Sequence, residues 1–119
     1  MTARAQITKP VVVAFPDEFD ISNAGDLAKQ MRGAITPGVS AMVADLTTTV
    51  FCDSAGLRVI VLAYDWAKAN NVELRLAVPQ GSTLDVMKLV GLDQLLPIYP
   101  SLDKELAGEP IPGQDASDE

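Results

Sequence analysis

Between Val43 and Leu62 the chain reads Val-Ala-Asp-Leu-Thr-Thr-Thr-Val-Phe-Cys-Asp-Ser-Ala-Gly-Leu-Arg-Val-Ile-Val-Leu. Met42 to Leu46 is short and mostly apolar, as a buried strand is, whereas apolar residues from Leu57 onward recur at helical spacing. A strand hands over to a helix, and Asp53 and Ser54 stand at the handover. Their side-chain oxygens suit the orphan amides of a first helical turn. Gly56, inside that turn, costs helix stability relative to alanine, and a compact, closely approached surface is one reason to keep it. Helix chemistry alone accounts for the pair as an ordinary cap.

Upstream, Pro10 precedes Val11 to Phe15, a β-branched run that reads as a strand, and Pro16-Asp17 ends it. Ser22 or Asn23 is placed to cap a helix whose apolar positions are Ala24, Leu27, Ala28, Met31, Ala34 and Ile35, the spacing of one helical face. Thr36-Pro37-Gly38 closes it. Ala41 to Leu46 forms the central strand. Asp45 is polar near its carboxyl end, the edge where sites gather in open α/β sheets, which suggests proximity to Ser54. Thr47-Thr48-Thr49 reads as a polar surface loop.

Downstream, the helix from about Ser54 to Asn70 is apolar on more than one face. Leu57, Ile60, Val61 and Tyr64 make one stripe, and Val59, Leu62, Ala63 and Trp66 another. Such a helix is either sandwiched in the core or carries a docking surface, and burial is the commoner case. Arg58 and Asp65 share its polar strip. Val72, Leu74, Leu76 and Val78 alternate with Glu73, Arg75 and Ala77 as a strand with one apolar face. Pro79-Gln80-Gly81 turns the chain, and Ser82 or Thr83 caps a helix through Val90, with Gly91 as its stop. Leu92 to Leu96 is a second apolar patch, Ile98-Tyr99 a short edge strand, and Ser101 to Ala107 a last short helix.

At 119 residues the chain reads as one domain, 1–107, large enough to bury roughly two thirds of its unfolded surface without staples. Residues 108–119, rich in Pro, Gly and acid, read as a disordered tail. The formal charge is −7. Four acids (Glu109, Asp115, Asp118, Glu119) lie in that tail, leaving twelve acids against nine bases elsewhere. Neither balance suits a nucleic-acid binder, which needs a basic face, so the expected partner is protein. No apolar run reaches the length of a membrane span and no secretory leader is evident, so no membrane insertion and a cytoplasmic setting are expected. Cys52 is the only cysteine and histidine is absent, which excludes an internal disulfide and the usual zinc sets. Cys52 reads as a small buried side chain rather than a reactive thiol.

Asp45-Leu46-Thr47, then Phe51, then Asp53-Ser54-Ala55-Gly56-Leu57 resembles, without a gap, the D-L-S/T...F-x-D-S-x-G-L signature of STAS domains, in particular of anti-sigma factor antagonists. Val90-Gly91-Leu92 and Pro97 to Leu102 resemble the family's C-terminal half, so the resemblance covers about residues 11–107. The family's common G-E-L/I-D turn is Asp17-Glu18-Phe19-Asp20 here, and the family's longer first strand and hairpin are shortened. The resemblance implies an α/β fold, a mixed sheet of about four to five strands with about four helices packed against it. It also implies that Ser54 is the phosphorylated residue. Asp53 then orients it or contacts the kinase, Asp45 and Gly56 shape the site, and Ala55, Leu57 and Arg58 complete its surroundings. Ala55 stands where the family often carries a second hydroxyl.

The partner so implied is an anti-sigma factor that is also a serine kinase, bound when Ser54 is unmodified so that a sigma factor is released; a serine phosphatase would reset the switch. The alternative is a constitutive STAS subunit of a larger complex such as a lipid-transport ATPase assembly. Enzymatic readings fare worse. Cys52-Asp53-Ser54-Ala55-Gly56 superficially resembles a G-x-S-x-G nucleophile elbow, but its first glycine is Cys52 and no histidine exists to act as base. No phosphate-binding loop of the Walker or G-x-G-x-x-G kind occurs, and no cofactor is expected.

Overall fold

The computed structural model describes residues 10–102. Four strands, β1 (Val11–Ala14), β3 (Ala41–Asp45), β5 (Glu73–Ala77) and β6 (Ile98–Tyr99), form a sheet in the order β1-β3-β5-β6. Every described pairing is parallel, with Val11 opposite Met42, Met42 opposite Leu74 and Leu76 opposite Ile98. Parallel neighbours require crossovers. These are supplied by α1 (Ala24–Ala34), by α2 (Ser54–Ala69), and by α3 (Ser82–Leu89) with α4 (Leu92–Leu95). A second, two-stranded parallel ladder pairs β2 (Glu18–Phe19) with β4 (Phe51–Cys52).

The central strand explains the apolar run that begins the diagnostic stretch: Ala41, Met42, Val43 and Ala44 are all buried, as a strand covered on both faces must be. The α1 stripe buries Ala24, Leu27 and Met31, the predicted face. On α2 the buried residues are Gly56, Val59, Ile60, Ala63 and Ala67, so one face of the helix packs in the core. Its flank is held to α1 by the Arg32 guanidinium, 4.4 Å from the centre of the Trp66 ring. No helix among the described residues is long and apolar enough to cross a membrane.

Several local expectations change. Asn23 stands at the N-cap of α1 but does not cap with its side chain. Its Oδ1 accepts from the Asp20 amide and its Nδ2 donates to the Glu18 carbonyl, so it braces the incoming loop. Ser82 and Thr83 lie inside α3, whose N-cap is Gly81, and no side chain caps that end. Gly91 takes the expected left-handed conformation, φ 86°, but Leu92 to Leu95 is a helical turn as well as an apolar patch. Thr49 is buried, its hydroxyl donating to the Pro16 carbonyl, rather than a surface loop residue. The expected helix from Ser101 to Ala107 lies outside the described residues beyond Leu102, as does the 108–119 tail.

The β2–β4 ladder, which sequence periodicity does not announce, fixes the approach to α2. The Asp17 carbonyl accepts from the amides of Val50 and Phe51, and the Phe19 carbonyl from the Asp53 amide. Phe19 itself is fully buried, edge-on to Phe15 with ring centres 4.7 Å apart. The segment just before α2 is therefore anchored to the core through its backbone.

Candidate functional site

Because the strands are parallel, the carboxyl ends of β1, β3 and β5 share one edge, and α2 departs from it. Asp53 is the N-cap of α2, with extended backbone. Its two carboxylate oxygens are divided. Oδ1 accepts from the Gly56 amide at 2.9 Å and Oδ2 from the Ile21 amide at 3.2 Å, across 32 positions of sequence. One carboxylate thus closes the first turn and ties it to the loop that follows β2.

Ser54 is the first residue of the helix and is exposed. With the capping task taken by Asp53, its hydroxyl has no hydrogen-bond partner among the described residues. The backbone amides of Ser54 and Ala55 are likewise uncommitted, whereas Gly56 and Leu57 donate to Asp53. The helix head is therefore an exposed hydroxyl beside two backbone amides without partners among the described residues.

Gly56 is there because nothing larger fits. A Cβ on it would lie 2.8 Å from the Phe19 carbonyl oxygen and 2.9 Å from Cys52 Sγ. The same packing half-buries Cys52, and burial, followed by the Asp53 charge, pushes its thiol pKa up from an ordinary 9.0 to about 11. Cys52 is accordingly a packed, protonated thiol.

Ser54, Leu57 and Arg58 line one side of an open groove of about 330 Å³ with Val61, and Val90, Gly91, Leu92 and Leu95 line the other. Val61, Val90 and Leu95 are 40%, 57% and 43% exposed. Ile21, Val50 and Phe51, in and beside the β2–β4 ladder, are exposed as well. Within the first α2 stripe Val61 is exposed while Ile60 is buried, and Val59 and Ala63 of the second stripe pack in the core.

Asp45 does not join this constellation through any hydrogen bond. Its Oδ1 accepts from the amide and the hydroxyl of Thr47, at 2.9 and 2.6 Å, which folds the loop after β3 back on itself. The predicted residues Asp53, Ser54, Ala55, Gly56, Leu57 and Arg58 are brought together; Asp45 is a loop brace. The second wall of the groove reads in sequence as a helix end at Val90, its stop at Gly91 and the apolar patch from Leu92 to Leu96, with no signal that these would face Ser54.

A parallel sheet whose carboxyl edge delivers an exposed serine to the head of a helix defines a small α/β domain. The chain belongs to the STAS domain family, whose family model matches residues 2–105. Its structural neighbours include anti-sigma factor antagonists. One from Mycobacterium paratuberculosis is 28% identical, with 90% of this chain and 92% of that one covered at a TM-score of 0.70. An anti-sigma factor antagonist (STAS) domain protein from Planctomyces limnophilus is 17% identical, covering 82% and 86% at a TM-score of 0.72. The anti-sigma factor antagonist SpoIIAA in its unphosphorylated form is 17% identical, covering 87% and 92% at a TM-score of 0.63.

Proposed function

We propose that this domain is an anti-sigma factor antagonist and works as a phosphorylation-gated binding module, not as an enzyme. With Ser54 unmodified it docks, through the head of α2 and the apolar surfaces beside it, onto an anti-sigma factor that is also a serine kinase, and a sigma factor is freed. A serine phosphatase acting on phospho-Ser54 resets it, and the cycle runs in the cytoplasm. The observation that carries the reading is the exposed, unpartnered Ser54 hydroxyl at the mouth of an apolar groove. The Ser54 oxygen is not spent on the helix cap, which Asp53 supplies, and so is open to modification.

Phosphorylation adds roughly −1.5 to −2 charges at Ser54. The helix dipole and the free amides of Ser54 and Ala55 favour that charge by up to about 1–2 kcal/mol, so the domain stays folded. Docking suffers instead. The dianion lies next to the Asp53 carboxylate and must lose water in any interface that covers the groove. A loss of about 3 kcal/mol lowers affinity more than a hundredfold, enough for a switch.

The test is a quantitative pull-down from lysate of the native cell with wild-type, Ser54→Ala and Ser54→Asp baits, the retained proteins being identified by mass spectrometry. A kinase-type anti-sigma factor held by wild type and Ser54→Ala but lost with Ser54→Asp is the expected result. If all three baits hold the same proteins, above all an ATPase with its membrane subunits, the charge gate is refuted and the domain is a constitutive subunit of that assembly.

A further inference from the structure

Arg58 stands one turn along α2 from Ser54. Residues four apart on a helix share a face, with Cβ atoms about 5–6 Å apart, and long side chains lean back toward the helix N-terminus. An arginine at this position is therefore directed toward Ser54. Both residues line the same groove, and Arg58 is the only charged residue that does; the far wall is Val90, Gly91, Leu92 and Leu95.

The fold does not use that charge. The α2 positions three and four away from Arg58 are Ser54, Ala55, Val61 and Leu62, none of them an acid. Arg58 is exposed, and its side chain has no ion pair or hydrogen bond among the described residues. The nearest acid in sequence, Asp53, commits its two oxygens to the Gly56 and Ile21 amides. The other two described arginines are both engaged: Arg32 lies over Trp66, and Arg75 pairs with Glu73.

The single oxygen of the unmodified Ser54 is a poor match for a guanidinium fork, whereas a phosphate presents three acceptor oxygens in the geometry that arginine binds best. We infer that Arg58 is a positioning residue for the modified state: it pairs with a phosphate on Ser54 and holds it across the mouth of the groove, beside the Ser54 and Ala55 amides. The inference rests on Ser54 as the phosphoacceptor and adds what the phosphate does on this chain. Unmodified, Arg58 is a long, exposed side chain free to swing aside from an incoming apolar group. Modified, guanidinium and phosphate are pinned together at the groove entrance, and a partner must strip water from both. The groove is then closed by a local ion pair, with no change in the backbone.

The experiment installs phosphoserine at Ser54 of the full chain during synthesis, so that no kinase is needed, and follows the phosphate by phosphorus NMR as pH is varied. The second ionisation of phosphoserine has a pKa of about 6, and a cation in contact favours the dianion. The other charges on elements around the groove are Asp53 on the same turn, Glu18 and Asp20 on the segment tied to Asp53, and Lys88 and Asp93 flanking the far wall. All are common to wild type and Arg58→Gln, so the difference between the two isolates Arg58. The midpoint should lie about half a unit lower in wild type than in Arg58→Gln, roughly a threefold change in proton affinity, and the difference should shrink at high salt. Phosphorylation should also shift the Arg58 Nε–H signal and slow its exchange with water. Arg58→Lys, which keeps the charge, should retain most of the midpoint shift, whereas a role in folding alone would alter stability and leave the midpoint where it was. Equal midpoints in wild type and Arg58→Gln, or an Arg58 Nε–H signal that phosphorylation leaves unchanged, overturn the clamp. Such a result would not touch the reading of Ser54 as a switch, which stands or falls on the pull-down with Ser54→Ala and Ser54→Asp.

Discussion

Replacing Gly56 by alanine tests whether the head of α2 is fixed by contact with the β2–β4 ladder. On helix propensity alone the substitution stabilises, by about 1 kcal/mol. Against that, the new methyl group meets the Phe19 carbonyl oxygen at 2.8 Å, Cys52 Sγ at 2.9 Å and Phe19 Cδ2 at 2.9 Å. Overpacking of this kind costs about 1–3 kcal/mol. The upper half of that range applies, because the nearest atom is backbone. The Phe19 carbonyl is held by the Asp53 amide at 3.2 Å, and the Phe19 ring is fully buried. Neither can give way without moving Asp53 and hence the first turn of α2. The net expectation is a loss of about 1–2 kcal/mol, a fall in Tm of roughly 3–8 °C for a domain of this size.

Urea and thermal unfolding followed by circular dichroism measure it, and a double-mutant cycle with Cys52→Ala locates the strain. Removing Sγ relieves one of the three contacts, so the cycle should show a favourable coupling that recovers only part of the loss, since the Phe19 contacts remain. A Gly56→Ala protein as stable as wild type, or more so, would refute the close-packing argument. It would return Gly56 to the status of an unexplained residue.

Asp53→Ala removes the cap of α2 and the bond to the Ile21 amide together, and should cost about 1–2 kcal/mol. Amide hydrogen exchange should quicken at both Gly56 and Ile21; unchanged protection at Ile21 would show that the carboxylate does not tie the loop down. The Cys52 thiol, with its pKa raised to about 11, should react slowly with a disulfide reagent at pH 8, where about one thiol in a thousand is ionised, and faster as pH rises. The linkage has a definite sign. The folded pKa lies above the ordinary 9.0, so the protonated thiol's contribution to stability is intact below pH 9 and declines as pH rises from 9 to 11. Cys52→Ala should flatten the stability profile in that window, as unfolding at stepped pH would reveal.

The parts of the fold readable in sequence are those whose cause is local or periodic. Met42 to Leu46 reads as a buried strand because parallel central strands are apolar throughout, and the α1 face emerges from the spacing of Ala24, Leu27 and Met31. The β2–β4 ladder was hidden because two-residue strands have no period; it exists through bonds from Asp17 and Phe19 to residues more than thirty positions away. The caps of α1 and α3 misled for a related reason. Asn23 has the chemistry of a cap, but its side chain is taken up by Glu18 and Asp20. Asp45 is polar at the right strand end, yet Thr47 two residues on satisfies it first. A short polar side chain bonds to its nearest backbone, and that preference overrode the site geometry the motif suggested.

On the proposed reading of Ser54, the division of labour between Asp53 and Ser54 would make a switch compatible with a stable fold. Had serine been the N-cap, its Oγ would be bound to an amide of the first turn, and adding a phosphate would remove a cap worth about 1 kcal/mol just as the charge arrived. Folding and signalling would then be coupled at one atom. With the carboxylate at the cap and the hydroxyl one residue further on, modification leaves the bond from Gly56 to Asp53 intact and finds the Ser54 and Ala55 amides still unspent. The energetic effect of a phosphate is then confined to what approaches from outside. The same geometry explains why Gly56 tolerates no side chain: the first turn must press against Phe19 and Cys52 firmly enough that the cap, rather than the serine, holds the helix in place.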